Sequence, residues 1–352
     1  MVDLIYFYPD GHEKHAEDGN PERPQRVEAA VNGLKSIGWW DIYPKIKPKE
    51  LSAKLLAEVH SPEYLEWLPS FSSQGQHIDG DTYTTPHSWS LALKAAGGAA
   101  AVAQLVWNND LIDTGSPLRG FALSRPPGHH AKRRIGMGFC LLNNIAIAAQ
   151  YLLTNDSGDF PRAKRLAIID LDLHHGNGTQ DIFWKRADVL YISTHQSPLF
   201  PGTGNLDEIG AGPGEGFTVN LPFPPGTGDT GYTASMSEVI LPLLDRYQPE
   251  ILLVSAGFDP HWRDPFGHLL LTASGYSFLI SELVNWADHH CSGKIVLVFE
   301  GGYDLSAISA CAQGVVAALL KKEFEDWLGS SPYPEGKSWK NVIQKAKAIW
   351  NL

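Results

Sequence analysis

The sequence predicts a single α/β domain with a mostly parallel sheet and helices on both faces. Short, continuous apolar runs recur along the 352 residues, and each run is followed by a polar tip. Such runs are typical of strands that are buried on both faces, as in a parallel sheet. Helical patterns alternate with the runs, which favours helices on both sides of the sheet. Because no internal repeat or low-complexity linker divides the chain, we expect one domain over residues 1–352.

Each predicted strand is a run of mainly aliphatic and aromatic residues. The predicted strands cover residues 1–8, 120–123, 166–173, 189–193, 251–255 and 295–299. The predicted helices are rich in alanine or show apolar residues at helical spacing, and they cover residues 88–107, 143–153, 233–247, 272–288 and 306–321. A terminal helix is expected over residues 337–352, within an extension (321–352) that follows a core at about 5–320.

One motif of a different function class also occurs. Residues 226–231 match the dinucleotide-binding pattern G-x-G-x-x-G. They follow a proline-rich segment and not a predicted strand, so we interpret them as a loop.

The composition argues against several classes of protein. The net charge is −11, whereas a protein that binds nucleic-acid phosphates needs basic patches. Three cysteines are too few for a disulfide framework. The apolar start of the chain is short and contains Asp3, so it is typical of a strand and not of a signal peptide. We therefore expect a cytoplasmic protein without a membrane segment, and a homo-oligomer is compatible with the sequence.

The end of the run at residues 166–173 carries the strongest functional signal. Asp170, Asp172 and His174 alternate there, and the two-residue period of a strand predicts that they share one face at steps of about 6–7 Å. Two carboxylates and an imidazole gathered in this way repel one another, and a divalent cation between them removes that penalty. An acidic, exposed strand face is the alternative, but the apolar neighbours favour a core strand.

Ligand sites of open α/β sheets lie beyond the carboxyl ends of the strands, so the polar tips are expected to converge. Asp259 follows another predicted strand, and by itself it would be interpreted as a helix N-cap. Together with Asp172 and His174 it makes the best set of three metal ligands, with one position left for water or substrate. Ligand type alone allows Zn²⁺ or Fe²⁺.

Two adjacent imidazoles emerge after the stiff turn at residues 126–128. Because neighbouring side chains on an extended segment diverge, we expect His129 and His130 to act as bases above a substrate and not as ligands. Asp170 is expected to orient His129 through its second ring nitrogen, and Asn177 is expected to orient His130 in the same way.

Aromatic residues complete the candidate site. Tyr303 follows Gly301 and Gly302, which allow the backbone to present the phenol, and a phenol beside a metal can donate a hydrogen bond to an oxyanion. An ordinary packing role for Tyr303 is the alternative. Phe139 and Phe200 lie close to motif turns and are candidates for the wall of an apolar channel, although most phenylalanines serve in the core.

These residues together resemble the histone deacetylase family, in the branch that holds the class II enzymes, the bacterial deacetylase-like proteins and the acetylpolyamine amidohydrolases. The matching segments are residues 125–131 (RPPGHHA), 138–144 (GFCLLNN), 170–180 (DLDLHHGNGTQ), 200–204 (FPGTG), 255–259 (SAGFD) and 300–303 (EGGY). Residues 20–24 (NPERP) resemble the rim loop of the family. The match runs over roughly residues 5–320 in the order of the family, which makes it specific.

The resemblance implies an arginase-like α/β fold and a role for each motif residue. It implies zinc ligands at Asp172, His174 and Asp259, a catalytic pair at His129 and His130, and a carbonyl-polarising phenol at Tyr303. A structural potassium ion is implied near Asp170, Asp172, His174, Ser193 and Thr194. Asn177 stands where other branches carry Asp, which favours the class II side.

The resemblance also implies a substrate channel. Phe139 and Phe200, with Gly138 beside them, match the aromatic pair that lines an acyl-lysine tunnel. Phe266 falls at a rim position where the polyamine-selective vertebrate member carries an acidic residue, which counts against a strict polyamine preference. Acidic residues elsewhere in the chain, such as Asp79 or Asp81, are alternative sources of that negative charge.

The sequence therefore predicts zinc-dependent removal of an acetyl or other short acyl group from an acylated amine such as acetyl-lysine. In this hypothesis the metal activates water, the histidine pair transfers protons and the tyrosine donates to the oxyanion. An acetylated polyamine or another small acylated amine is the alternative substrate. A ureohydrolase of the arginase type would need a two-metal cluster with more ligands. A non-catalytic acyl-lysine binding module would not need the histidine pair and the tyrosine.

Overall fold

The computed structural model describes residues 3–109, 116–154 and 160–352, and within these ranges eight strands form one sheet. The strands are β1 (Leu4–Phe7), β2 (Lys45–Ile46), β3 (Arg119–Ala122), β4 (Leu166–Asp170), β5 (Val189–Gln196), β6 (Thr218–Phe223), β7 (Leu252–Ala256) and β8 (Ile295–Phe299). Their order is β2-β1-β3-β8-β7-β4-β5-β6, and each neighbouring pair is parallel. The predicted class, a single α/β domain with a parallel sheet, is confirmed.

Helices connect the strands. They are α1 (Gln25–Ser36), α2 (Trp39–Ile42), α3 (Ala53–Val59), α4 (Pro62–Ser72), α5 (Ser88–Asn108), α6 (Asn144–Thr154), α7 (Asn177–Phe183), α8 (Asp229–Ser235), α9 (Leu241–Tyr247), α10 (Ala273–His290), α11 (Leu305–Leu319) and α12 (Trp339–Trp350). A π-helical turn (Met236–Ile240) joins α8 to α9, so the predicted helix at 233–247 begins four residues earlier than expected. The other predicted helices occur with their ends moved by one or two residues.

The sheet separates two hydrophobic cores, and β4 shows how one strand serves both. Leu166 and Ile168 pack into the core that α5 and α6 share, whereas Ala167 and Ile169 pack into the core that α10 and α11 share. All four side chains are fully buried. A strand that is buried on both faces has no polar face, which is why its sequence is continuously apolar and not alternating. Apolar residues of α12 join the second of these cores.

Among the described helices, α5 is the one that is long and apolar enough on average to cross a membrane. Polar residues interrupt its sequence, so it is not a continuous apolar run. About two thirds of its apolar window (67%) is buried inside the domain. A Cβ atom on Gly98 would lie 2.2 Å from the Phe7 ring, and one on Gly97 would lie 2.3 Å from the Lys49 carbonyl oxygen. The helix is therefore packed closely against β1 as a core element.

Two strands were missing from the sequence prediction. Strand β2 has only two residues, and β6 contains Pro222, which is tolerated because β6 lies at the edge of the sheet. The interpretation of residues 226–231 as a loop was wrong in part, because only two residues separate them from β6 and their second half opens α8 at Asp229.

Candidate active site

The segment that carries the candidate metal ligands begins where β4 ends, at Asp170. The amide of Asp172 donates to Asp170 Oδ1 (3.2 Å), and the amide of His174 donates to Asp172 Oδ1 (2.9 Å). The amide of Leu173 donates to Asp259 Oδ1 (3.0 Å). The prediction that Asp170, Asp172 and His174 share one strand face was therefore wrong. The carboxylates bind the backbone N–H groups that a neighbouring strand would otherwise bind, and the chain turns.

The turn brings the three predicted ligands together. Asp172, His174 and Asp259 are buried, and one ligand atom of each lies within 4.8 Å of the others. His174 Nδ1 is 3.3 Å from Asp172 Oδ1 and 3.1 Å from Asp259 Oδ2. Burial and the neighbouring Asp172 raise the pKa of Asp259. Two buried carboxylates beside one imidazole fit a divalent cation, which would offset both the repulsion and the desolvation.

The histidine pair lies against this group. His129 Nδ1 is 3.1 Å from Asp170 Oδ2, and His130 Nδ1 is 2.8 Å from Asn177 Oδ1. The expectation that adjacent histidines diverge was wrong, because the ring centroids are only 4.0 Å apart. Glu300 Oε2 accepts the amides of Gly128 (2.6 Å) and His129 (3.1 Å) and holds this segment in a turn.

The two imidazoles have opposite electrostatic surroundings. Burial lowers the pKa of His129, but Asp172 and Asp170 outweigh burial and raise it to about 10. Burial and the neighbouring His129 and His174 lower the pKa of His130 well below its usual value. The partner of His130 is the neutral side-chain amide of Asn177, whose Oδ1 accepts a hydrogen bond from the Nδ1–H group of His130. His129 is therefore suited to be an imidazolium, and His130 is suited to be a neutral base whose Nε2 carries the lone pair.

Tyr303 lies among aromatic and cationic groups. The guanidinium carbon of Arg26 lies 4.9 Å from the centroid of its ring, and the ring centroids of Phe266 and Phe139 lie 4.4 and 5.7 Å away. Burial raises the pKa of Tyr303 well above 10, so the phenol keeps its proton and can donate it in a hydrogen bond. The preceding Gly302 has a φ of 111°, a conformation that favours glycine.

The predicted channel residues lie at the same place. The Phe200 ring is 41% exposed and its centroid lies 5.1 Å from that of His130. A Cβ atom on Gly138 would lie 2.6 Å from His130 Cδ2 and 3.0 Å from Phe200 Cε1. Phe266 is 38% exposed where it meets Tyr303. Partly exposed aromatic rings therefore lie beside both His130 and Tyr303.

The residues predicted to surround potassium are also close to one another. Asp170 and Ser193 are register partners on β4 and β5, and the Thr194 hydroxyl donates to the Asp170 carbonyl oxygen (3.2 Å). The Ser193 hydroxyl is 2.9 Å from His195 Nδ1. Asp172 and His174 follow in the adjoining turn. The potassium ion itself stays a prediction.

Sequence reasoning missed a buried ion network below the site. Arg26 donates to Glu22 Oε1 (2.9 Å), to the Gly302 carbonyl oxygen (2.5 Å) and to the Glu300 carbonyl oxygen. Arg125 donates to both carboxylate oxygens of Glu22 (2.8 and 2.9 Å). Despite burial, the two guanidinium groups lower the pKa of Glu22 to about 2. Glu22 and Arg125 lie in matching motifs, but a single sequence does not reveal that a charged pair is buried.

Comparison with known proteins assigns the family. A sequence model described as the histone deacetylase domain matches residues 20–319. A probable deacetylase of Archaeoglobus fulgidus is 41% identical over 91% of this chain and 86% of its own length. A probable deacetylase of Methanothermobacter thermautotrophicus is 36% identical over 92% of each chain.

A solved structure agrees with these sequence matches. The crystal structure of the HDA15 HD domain superposes with a TM-score of 0.87 at 34% identity, over 99% of this chain and 94% of that one. The chain therefore belongs to the histone deacetylase family of hydrolases, as the resemblance of its motifs predicts.

Proposed function

We propose that this protein is a zinc-dependent amidohydrolase that removes an acetyl or other short acyl group from an acylated amine such as acetyl-lysine. One observation carries the proposal: the buried Asp172–His174–Asp259 group lies beside the His130 imidazole and close to the Tyr303 phenol, next to partly exposed aromatic rings. The family membership supports general deacetylase activity.

The metal ligands would be Asp172, His174 and Asp259. A divalent cation held there supplies a Lewis acid that polarises the acyl carbonyl and lowers the pKa of a water molecule. Zn²⁺ fits two carboxylates and one imidazole, and Fe²⁺ fits the same ligand set.

The protein side chains would transfer the protons. His130 would accept a proton from the attacking water at Nε2, because Asn177 holds the Nδ1 proton on the opposite side of the ring. The same Nε2 would then give the proton to the leaving amine. His129, paired with Asp170, would keep a positive charge close to the carboxylates and make His130 a weaker base.

Tyr303 would donate its phenolic hydrogen to the carbonyl oxygen as negative charge develops there. A donor that is aimed at this oxygen before the reaction stabilises the transition state more than the ground state. Loss of one such donor typically lowers turnover by about 10²–10³-fold.

The alternative substrate is an acetylated polyamine or another small acylated amine. An acidic turn favours it: Asp79 Oδ1 accepts the amides of Asp81 (3.2 Å) and Thr82 (2.7 Å), and the Thr82 hydroxyl accepts the amide of Phe139 (3.0 Å). The Thr82 hydroxyl also donates to Asp81 Oδ1 (3.4 Å), so Thr82 connects both carboxylates to the backbone of Phe139. There they would attract a second positive charge on the substrate. The apolar Phe266 at the rim favours acetyl-lysine instead.

The test is turnover of an acetyl-lysine peptide, of longer acyl-lysine peptides and of acetylputrescine, before and after removal of metal by a chelator. We expect release of the acyl group from at least one acetylated amine, loss of activity on chelation and recovery with Zn²⁺. Tyr303→Phe should bind metal and lose about 10²–10³-fold in kcat. Tyr333→Phe, which changes an exposed tyrosine, is the matched control. Full activity of Tyr303→Phe would refute the role of the phenol, and metal-independent hydrolysis would refute the proposal.

A further inference from the structure

The carboxylate of Asp264 connects the backbone at Tyr303, which carries the phenol, to the backbone at Phe266 on the proposed rim of the channel. Its Oδ2 accepts the backbone amides of Tyr303 (2.6 Å) and Asp304 (3.2 Å), and its Oδ1 accepts the amide of Phe266 (3.1 Å). The side chain is buried, with 5% of its surface exposed. Three backbone N–H groups from two loops that are far apart in sequence are therefore satisfied by one residue.

These bonds act on a segment that is also anchored on either side of Tyr303. Gly302, directly before Tyr303, has a φ of 111° and its carbonyl oxygen is held by Arg26. Asp304, directly after Tyr303, caps α11 through the amide of Ala307 (2.8 Å). The amide of Tyr303 itself donates to Asp264, so this carboxylate fixes the residue that carries the phenol between its two neighbouring anchors.

The second oxygen of the Asp264 carboxylate binds the backbone of Phe266, a residue of the proposed channel rim. Phe266 follows Asp264 by two residues, and its ring packs on the Tyr303 ring with centroids 4.4 Å apart. Asp264 therefore binds the backbone amides of two residues whose rings pack on each other, Phe266 through Oδ1 and Tyr303 through Oδ2.

We infer that Asp264 is a positioning residue that fixes the backbone of Tyr303 and of Phe266 and thereby sets where the phenol donates its hydrogen bond. The inference rests on the proposed function, in which the phenol stabilises the oxyanion. Asp264 does not touch the reacting atoms in this scheme. Its effect on turnover passes through Tyr303, which makes the effect separable from a general loss of stability.

A double-mutant cycle tests this separation. Asp264→Ala should lower kcat by about 10–100-fold in the wild-type background, since a misplacement of about 1 Å costs about 10²-fold. In the Tyr303→Phe background the same change should lower kcat by less than about threefold, because no phenolic donor remains to be misplaced. Metal content should stay at the wild-type level in both backgrounds.

Two further variants keep the test decisive. Asp264→Asn keeps the side-chain volume but has one acceptor oxygen, so it should lose less activity than Asp264→Ala, and it replaces that variant in the cycle if the alanine protein does not fold. Asp229→Ala is the matched control, because Asp229 also uses its carboxylate to hold a loop, through the amide (2.9 Å) and hydroxyl (2.7 Å) of Thr272. It should lower stability and leave kcat unchanged.

Amide hydrogen exchange gives a measurement that does not depend on activity. Residues 300–305 should exchange faster in Asp264→Ala than in Asp229→Ala. Equal exchange in this segment, or equal losses of kcat in the two backgrounds, would overturn the inference. If the wild-type protein hydrolyses no acylated amine, the proposed function fails, and the exchange result alone then decides whether Asp264 fixes Tyr303.

Discussion

A methyl group at Gly138 is expected to lower turnover strongly while the metal site stays intact. A Cβ atom there would lie 2.6 Å from His130 Cδ2 and 3.0 Å from both His130 Cγ and Phe200 Cε1. Carbon atoms prefer separations of about 3.5–4.0 Å, so the His130 ring or the loop must move by about 1 Å. None of the three proposed metal ligands lies on this loop.

The expected size of the effect follows from this displacement. A misplacement of about 1 Å in a reacting group costs about 10²-fold in rate, which corresponds to about 2.7 kcal/mol in activation free energy. Gly138 also has a φ of 55°, and an alanine in this left-handed region costs about 1–2 kcal/mol in stability. Gly138→Ala should therefore lose about 10²-fold in kcat/KM and a small part of its stability.

Gly38→Ala separates the contact from the backbone strain. Gly38 has a φ of 74°, and a Cβ atom there would meet nothing within 4 Å. It should lose similar stability in urea denaturation and keep full deacetylase activity and metal content. Activity of Gly138→Ala within about threefold of the wild type would show that the His130 contact does not control turnover, and the assignment of Gly138 to the channel wall would then be wrong.

Two other predictions concern the metal and the effect of pH. Asp259→Ala should lose the catalytic metal, measured by elemental analysis, whereas Asp229→Ala should retain it; unchanged metal content would remove Asp259 from the ligand set. His60 is fully buried, and burial lowers its pKa to about 4. An unfolded chain therefore binds a proton at His60 between about pH 6.5 and pH 4 that the folded chain does not, so His60 by itself should lower the free energy of unfolding by about 3 kcal/mol as the pH decreases through this range. In His60→Gln the free energy of unfolding should fall less over this pH range than in the exposed control His87→Gln. An equal fall in the two variants would contradict the lowered pKa of His60.

The parts of the fold that could be predicted are the strands whose own sequence pattern shows that they are buried on both faces. Strand β4 is buried on both faces by α5 and α6 on one side and by α10 and α11 on the other, so its continuous apolar pattern indicates a parallel sheet without knowledge of its partners. The short β2 and the proline-containing β6 lie at the two edges. Each of these two strands pairs with a single neighbouring strand, and no pattern within its own sequence indicates that it belongs to the sheet.

The candidate site was predictable in its residues and not in its geometry. Asp172, His174 and Asp259 come together as expected, but through a turn that starts where β4 ends and not along a strand face. The turn depends on the bond between the Leu173 amide and Asp259, which is distant in sequence. Likewise, Glu300 binds the backbone of His129, so a residue on another strand tip helps to hold the histidine pair.

The glycines beside the carboxylates show the same dependence on distant residues. A Cβ atom on Gly176 would lie 2.1 Å from Asp170 Oδ2, one on Gly257 would lie 2.0 Å from Asp172 Oδ2, and one on Gly301 would lie 2.3 Å from Asp259 Oδ2. None of these three glycines has a positive φ, so the backbone conformation does not require glycine there. Glycine is required there for space, because the carboxylates of Asp170, Asp172 and Asp259 lie where a Cβ atom would otherwise be. A glycine in such a tip therefore indicates a close approach by a group from elsewhere in the chain, and the sequence alone does not say which group that is.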